Sequence, residues 1–152
     1  MAVRIRPLLQ EEIEDDHTCE KLEAENDTSV KIVNRLGIMR YFKFNSVFDM
    51  TYTQEGIYRQ TRIKFLIEQV MSGFHATVFA YGQTGSGKTF TMDGPNGGDE
   101  QEEGIIPRAI RDLFSQLQKK QDEFHERTKI TIKVQFVQIY NERVYDMLVP
   151  KN

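Results

Sequence analysis

Gly82-Gln83-Thr84-Gly85-Ser86-Gly87-Lys88-Thr89 fills every fixed position of the pattern G-x-x-x-x-G-K-[ST]. Glycines at this spacing let a backbone fold into a concave nest whose N–H groups point inward, a cradle for phosphate oxygens. The positive end of a following helix adds to that attraction. Lys88 is expected to set its ammonium against the β- and γ-phosphates of a nucleoside triphosphate. Thr89 is expected to offer its hydroxyl to a Mg²⁺ ion bridging the same oxygens. The stretch therefore predicts nucleotide binding, but it is shared by many nucleotide hydrolases and does not choose among them.

The flanks supply the context such a loop requires. Thr77-Val78-Phe79-Ala80-Tyr81 is a run of strand formers leading directly into Gly82, and the residues after it read as a helix. Further out, Val3 and Ile5 alternate with Arg4 and Arg6 until Pro7, predicting a short strand. Glu11 to Asp27 is acidic, poor in apolar residues and reads as a solvated loop. Val30–Val33 and Ile38–Phe44 predict a small hairpin around Asn34-Arg35-Leu36-Gly37. Thr53 is placed to cap a helix on which Ile63, Ile67 and Val70 share a face and which Gly73 stops. The breakers from Asp93 to Asp99 and the acidic run Asp99–Glu103 predict an exposed, mobile loop. Pro107 marks the first turn of another helix, with Ile106, Ile110, Leu113, Phe114 and Leu117 on one face. Ile130, Ile132, Val134 and Phe136 alternate with polar residues, a strand pattern that runs on to Tyr140-Asn141-Glu142. Strands and helices intermix, so the expected class is α/β, a central sheet flanked by helices.

Composition narrows the function classes. A charge of -3 over 152 residues gives no global basic field for nucleic acid or an anionic membrane. No apolar run approaches the length of a membrane span, so membrane insertion is not expected. Two arginines near the start precede no apolar stretch, which argues against a signal peptide, and the expected address is cytoplasmic. The single cysteine, Cys19, cannot form an internal disulfide and reads as a free thiol. His17, His75 and His125 show no metal-ligand spacing.

Beyond the loop itself, Phe79-Ala80-Tyr81 before it and Phe90, Thr91-Met92 and Gly94 after it closely resemble the phosphate-loop region of kinesins. Four further stretches resemble the same family in the same order. They are Val3-Arg4-Ile5-Arg6-Pro7-Leu8, Phe44-Asn45-Ser46-Val47-Phe48-Asp49, Gly104-Ile105-Ile106-Pro107-Arg108, and Gln138-Ile139-Tyr140-Asn141-Glu142 with Tyr145-Asp146-Met147-Leu148. The resemblance implies a P-loop hydrolase fold, with ATP and Mg²⁺ as ligands and microtubules (tubulin) as partner, the protein being cytoskeletal. It implies that Arg4 and Pro7 border the adenine and that Phe90 stacks on it, which any π-face permits. Gln138 departs from the family's usual glutamate. Lys119-Lys120 and Arg127 are cations that could face tubulin, but a solvated face is the better reading.

Two family strings do not occur in these residues: N-x-x-S-S-R-S-H, which orders the attacking water, and D-x-A-G-x-E, which supplies the aspartate behind the Mg²⁺. The resemblance thus implies that 1–152 is a partial motor domain, from the first strand through the Tyr140-Asn141-Glu142 region, with no catalytic residue of its own. Strands left without neighbours would make it unstable alone. The alternative is a truncated or pseudo-motor that binds nucleotide or scaffolds without turnover, and some other P-loop hydrolase is a third reading.

Overall fold

The computed structural model describes residues 1–14, 21–34, 36–123 and 130–149. Cys19, His17, His125 and Arg127 lie outside the described residues. The chain forms two units, Met1–Ser115 and Gln116–Asn152. In order the elements are β1 (Ala2–Arg4), α1 (Gln10–Glu14), β2 (Lys21–Asn26), β3 (Ser29–Val33), β4 (Met39–Lys43), β5 (Ser46–Phe48), α2 (Gln54–Gln60), α3 (Ile63–Met71), α4 (Lys88–Met92), α5 (Ile105–Glu123), β6 (Val137–Tyr140) and β7 (Arg143–Asp146).

Within the first unit, β1 runs parallel to β5, with Val3 opposite Val47, and the Ile5 N–H extends the pairing to the Phe48 carbonyl at 2.8 Å. β2, β3 and β4 form an antiparallel meander. The predicted hairpin is present: Asn34 Oδ1 accepts from the Leu36 and Ile38 N–H groups, and Gly37 turns the chain at φ 75°. Ile5, Val30 and Val47 form a buried cluster, with Val3, Ala24, Ile32 and Phe44 against it. Phe48 is the largest fully buried side chain and meets the Tyr52 ring edge-on at 5.1 Å. Burial of one such ring contributes about 2–3 kcal/mol.

The acidic stretch is not all loop. Its start forms α1, and its end forms β2, whose Ala24 reaches the cluster while Glu23 pairs with Lys31 across the strands. β3 supplies the hydrogen bonds that this polar strand cannot advertise in its own composition.

A second cluster joins the helices. Tyr58, Ile63, Ile67 and Ile105 are buried, with Leu66, Met71, Met92, Ala109 and Leu113 packed on them. Thr53 caps α2 as expected, its hydroxyl accepting from the Gly56 N–H at 3.1 Å. The single helix predicted there is two. Arg62 stands between them in the left-handed region at φ 58°, and the turn leaves Val70 exposed while Ile63 and Ile67 pack. Gly73 ends α3 as predicted: its N–H bonds to Val70 and that of Phe74 to Gln69, the paired bonds of a Schellman stop. On α5 the packed residues are Ile105, Ala109 and Leu113, whereas Ile106, Ile110 and Phe114 are exposed. The amphipathic face is rotated by one residue because Ile105, not Ile106, meets Tyr58 and α3.

One expected strand is absent and another is shortened. Residues 74–81 form no strand among the described residues, and Phe79 and Tyr81 are 81% and 95% exposed. A strand exists only with a neighbour to take its N–H and C=O groups, and the composition of 77–81 cannot provide one. In the second unit, 130–135 likewise forms no strand, while the Phe136 carbonyl accepts from the Met147 N–H at 2.8 Å. The strand begins at Val137 and turns back through Asn141 and Glu142, both at positive φ (50° and 60°), into β7, which periodicity did not reveal. That geometry is the two-residue hairpin turn whose twist suits the strands. The result is mixed α and β with small sheets of two, three and two strands. The full central sheet expected from the sequence is not formed among the described residues.

Candidate functional site

The loop from Gly82 to Gly87 doubles back on itself, with the Ser86 N–H bonded to the Gln83 carbonyl at 3.2 Å. Two glycines make this path possible. A Cβ on Gly82 would stand 2.5 Å from Ser86 Oγ, and Gly87 turns into α4 at φ 88°. Lys88 is the first residue of α4, and its Nζ reaches back to the carbonyls of Gly82 at 2.9 Å and Gln83 at 2.7 Å. Both partners are neutral, and no carboxylate pairs with Lys88 among the described residues. Thr84 and Gly85 are exposed on the same turn. Thr89 is exposed on the first turn of α4. Among the described residues no cluster of three or more His, Cys, Asp or Glu could hold a metal. A Mg²⁺ here would therefore rest on Thr89 and on the oxygens of a bound phosphate, which fits the hard, oxygen-only, incomplete protein shell this ion accepts.

α4 has only five residues, so few peptide dipoles add up behind the loop. Charge at the loop comes from side chains. Arg6 donates its Nε to the Gly85 carbonyl at 2.9 Å and grips Glu12 with both terminal nitrogens. That pair, together with the Leu9 N–H on Glu12, holds the Glu12 carboxyl down at about 2, with the Arg6 hydrogen bonds the largest cause. The loop is thus tied to α1 through one arginine.

A second set of residues lies beside it. The Arg4 guanidinium is 5.0 Å from the centre of the Phe90 ring and donates to Gln54 Oε1 at 2.8 Å and Thr91 Oγ1 at 2.9 Å. Its partners are neutral too, and burial alone pushes its pKa down. Phe90 remains 41% exposed. Arg4 and Phe90, which sequence reading put at one site, are brought together. Pro7 is not part of this contact: it is exposed, and its carbonyl accepts from Arg6. Proline lacks an N–H, and here the turn leaves only its carbonyl engaged.

Sequence reading missed Gln54 and Arg6. Gln54 is 93% buried from a relative exposure of 7%, and its Nε2 donates to the carbonyls of Phe90 at 2.6 Å and Glu102 at 3.1 Å. No local pattern marks a glutamine at the start of a helix as such a junction. The Arg6 bond to the loop spans 79 positions and was equally hidden. The segment 93–104 also differs from the mobile loop expected. Arg108 bonds the carbonyls of Glu100, Gln101 and Glu103, and Arg111 pairs with Glu100 and Glu103. Acidic residues in the loop are held by cations one helical turn apart on α5.

The kinesin motor domain family model matches residues 4–152. The chain belongs to the kinesin motor-domain family. Among its relatives, the kinesin-like protein KIN-5C of Arabidopsis thaliana is 36% identical over 162 aligned residues, covering 99% of this chain and 15% of the relative. Kinesin-like protein KIN-14A of Oryza sativa subsp. japonica is 41% identical over 150 residues, 95% of this chain and 14% of the relative. The chromosome-associated kinesin KIF4A of Homo sapiens is 37% identical over 153 residues, 99% of this chain and 12% of the relative. This kinesin chain thus spans about 15% of the length of the first relatives it matches. The kinesin family carries the P-loop hydrolase fold, of which the loop, α4 and the strand β1 are recognisable parts here. No helix among the described residues is long and apolar enough to cross a membrane.

Proposed function

We propose that the chain is the nucleotide-binding part of an ATP-dependent microtubule motor. The observation that carries this is Lys88: an ammonium at a glycine loop, bonded only to neutral carbonyls. In the proposal a triphosphate lies along the loop from Gly82 to Thr89, through Gln83, Thr84, Gly85, Ser86 and Gly87. Lys88 exchanges its carbonyl partners for β- and γ-phosphate oxygens, a stronger charge-assisted bond. The adenine rests against Phe90, with Arg4 on the ring's other side. Thr89 would hold Mg²⁺, which neutralises phosphate charge. Pro7 is retained only as a border residue of the same region.

The whole protein's movement along microtubules, its cytoskeletal place and its ATP turnover belong to this proposal. So does the reading of 1–152 as part of a motor domain. A second reading is that these residues bind nucleotide without turning it over. It is favoured by one observation: among the described residues no carboxylate or imidazole is bonded to the loop, so nothing here orients an attacking water. Phosphate release from ATP, with and without microtubules, separates the two.

Binding of a fluorescent ATP analogue with Mg²⁺ tests the common ground. Lys88→Ala is expected to weaken it by about tenfold or more, the loss of a charge-assisted hydrogen bond of ~1.5–3 kcal/mol. Equal affinity of the two proteins would remove the phosphate role of Lys88.

A further inference from the structure

We infer that Gln54 is a positioning residue for the base end of the nucleotide site. It is buried, and both ends of its amide are used. Oε1 accepts from Arg4 on β1, while Nε2 donates to the Phe90 carbonyl on α4 and to the Glu102 carbonyl in the 93–104 segment. One side chain thereby fixes three separate stretches. An amide is the group that can do this: it presents an acceptor to a cation and two donors to carbonyls, without adding charge. A carboxylate would neutralise Arg4 and repel both carbonyls. An aliphatic side chain would take one acceptor from the Arg4 nitrogen, which keeps Thr91, and one donor each from the Phe90 carbonyl, which keeps the Gly94 N–H, and the Glu102 carbonyl.

The consequence is directional. Gln54 has no bond to the loop 82–87 or to Lys88, so it acts on the ring and guanidinium and not on the phosphate cradle. Thr91 Oγ1 holds the same Arg4 nitrogen from the other side. With Gln54 and Thr91 both in place, the guanidinium stays 5.0 Å over the Phe90 ring, where it favours an electron-rich ring face. A base stacking on the far face of Phe90 would meet a ring already set in place.

This rests on the nucleotide reading above, and the experiment separates the two. The purified chain is titrated with a fluorescent ATP analogue and with inorganic tripolyphosphate, both with Mg²⁺. For Gln54→Met the affinity for the ATP analogue is expected to fall about five- to tenfold, the effect of losing buried hydrogen-bond partners, with tripolyphosphate affinity unchanged. Arg4→Met should give a similar loss, and the double variant should lose little more, because the two residues act as one unit. Where Gln54→Met does not fold, the isosteric Gln54→Glu carries the same test. Equal losses for both ligands, no loss for either, or additive losses in the double variant would each overturn the positioning role. Failure of the wild type to bind either ligand would overturn the nucleotide reading itself, and this role with it.

Discussion

The two ends of the proposed nucleotide site are built differently. The phosphate end is a contiguous stretch, Gly82 to Thr89, exposed over much of its length and held by bonds from Lys88 to carbonyls five and six positions away. The base end is assembled from Arg4, Gln54, Phe90 and Thr91, is half-buried, and depends on bonds spanning 36 to 87 positions. Such a difference teaches where each end is vulnerable. A local backbone turn fails when its own geometry is blocked. A junction of distant segments fails when any one of them shifts.

The largest effect that would sharpen the contrast comes from Gly82→Ala. Its Cβ would lie 2.5 Å from Ser86 Oγ and 3.1 Å from Ser86 Cβ, so the hydroxyl must rotate away and the turn must give by a few tenths of an ångström. Tripolyphosphate affinity should fall by roughly tenfold, because ~1–3 kcal/mol of overpacking strain falls on the cradle. Adenosine, which engages only the base end, should bind as before in an NMR titration. Ser86→Gly in the same background should recover part of the loss. Adenosine binding lost together with tripolyphosphate would show that the two ends are one unit and break the comparison.

A smaller effect concerns the tie between the loop and α1. The folded Glu12 carboxyl titrates near 2, below its ordinary 4.5, because Arg6 favours the charged form. A group depressed on folding contributes stability above its unfolded pKa and loses it as pH falls through the folded value. Chain stability should therefore draw nothing further from this pair above about pH 4.5, the ordinary value, and should lose its contribution between there and pH 2. Glu12→Gln should flatten that part of the acid profile in urea melts. An unchanged acid profile in the variant would show that Glu12 is not the group responsible.

The smallest effect is expected at Arg111→Ala. Its ion pairs with Glu100 and Glu103 are on the surface, where such pairs contribute about 0–1 kcal/mol. A thermal melt should shift by only a degree or two, and both ends of the site should bind as in the wild type. A large loss of nucleotide affinity would mean that the 93–104 segment reaches the base end more strongly than through the single Glu102 carbonyl.

The sequence by itself located the glycine loop proposed to hold phosphate. Glycine spacing, Lys88 and Thr89 are read directly, because the cradle is backbone and its residues are neighbours. The Asn34–Gly37 turn, the Thr53 cap and the Gly73 stop were legible for the same reason: each is satisfied within a few positions. Arg4 and Phe90 were legible only through family resemblance, since nothing local links residues so far apart. Only the tertiary structure decided which residues join them. Gln54, Arg6 and the rotated face of α5 follow from which surfaces meet, and the fate of 77–81 and 130–136 follows from whether a neighbouring strand is there. Propensity sets what a segment can form, while hydrogen-bond partners and burial, which come from elsewhere in the chain, set what it does form.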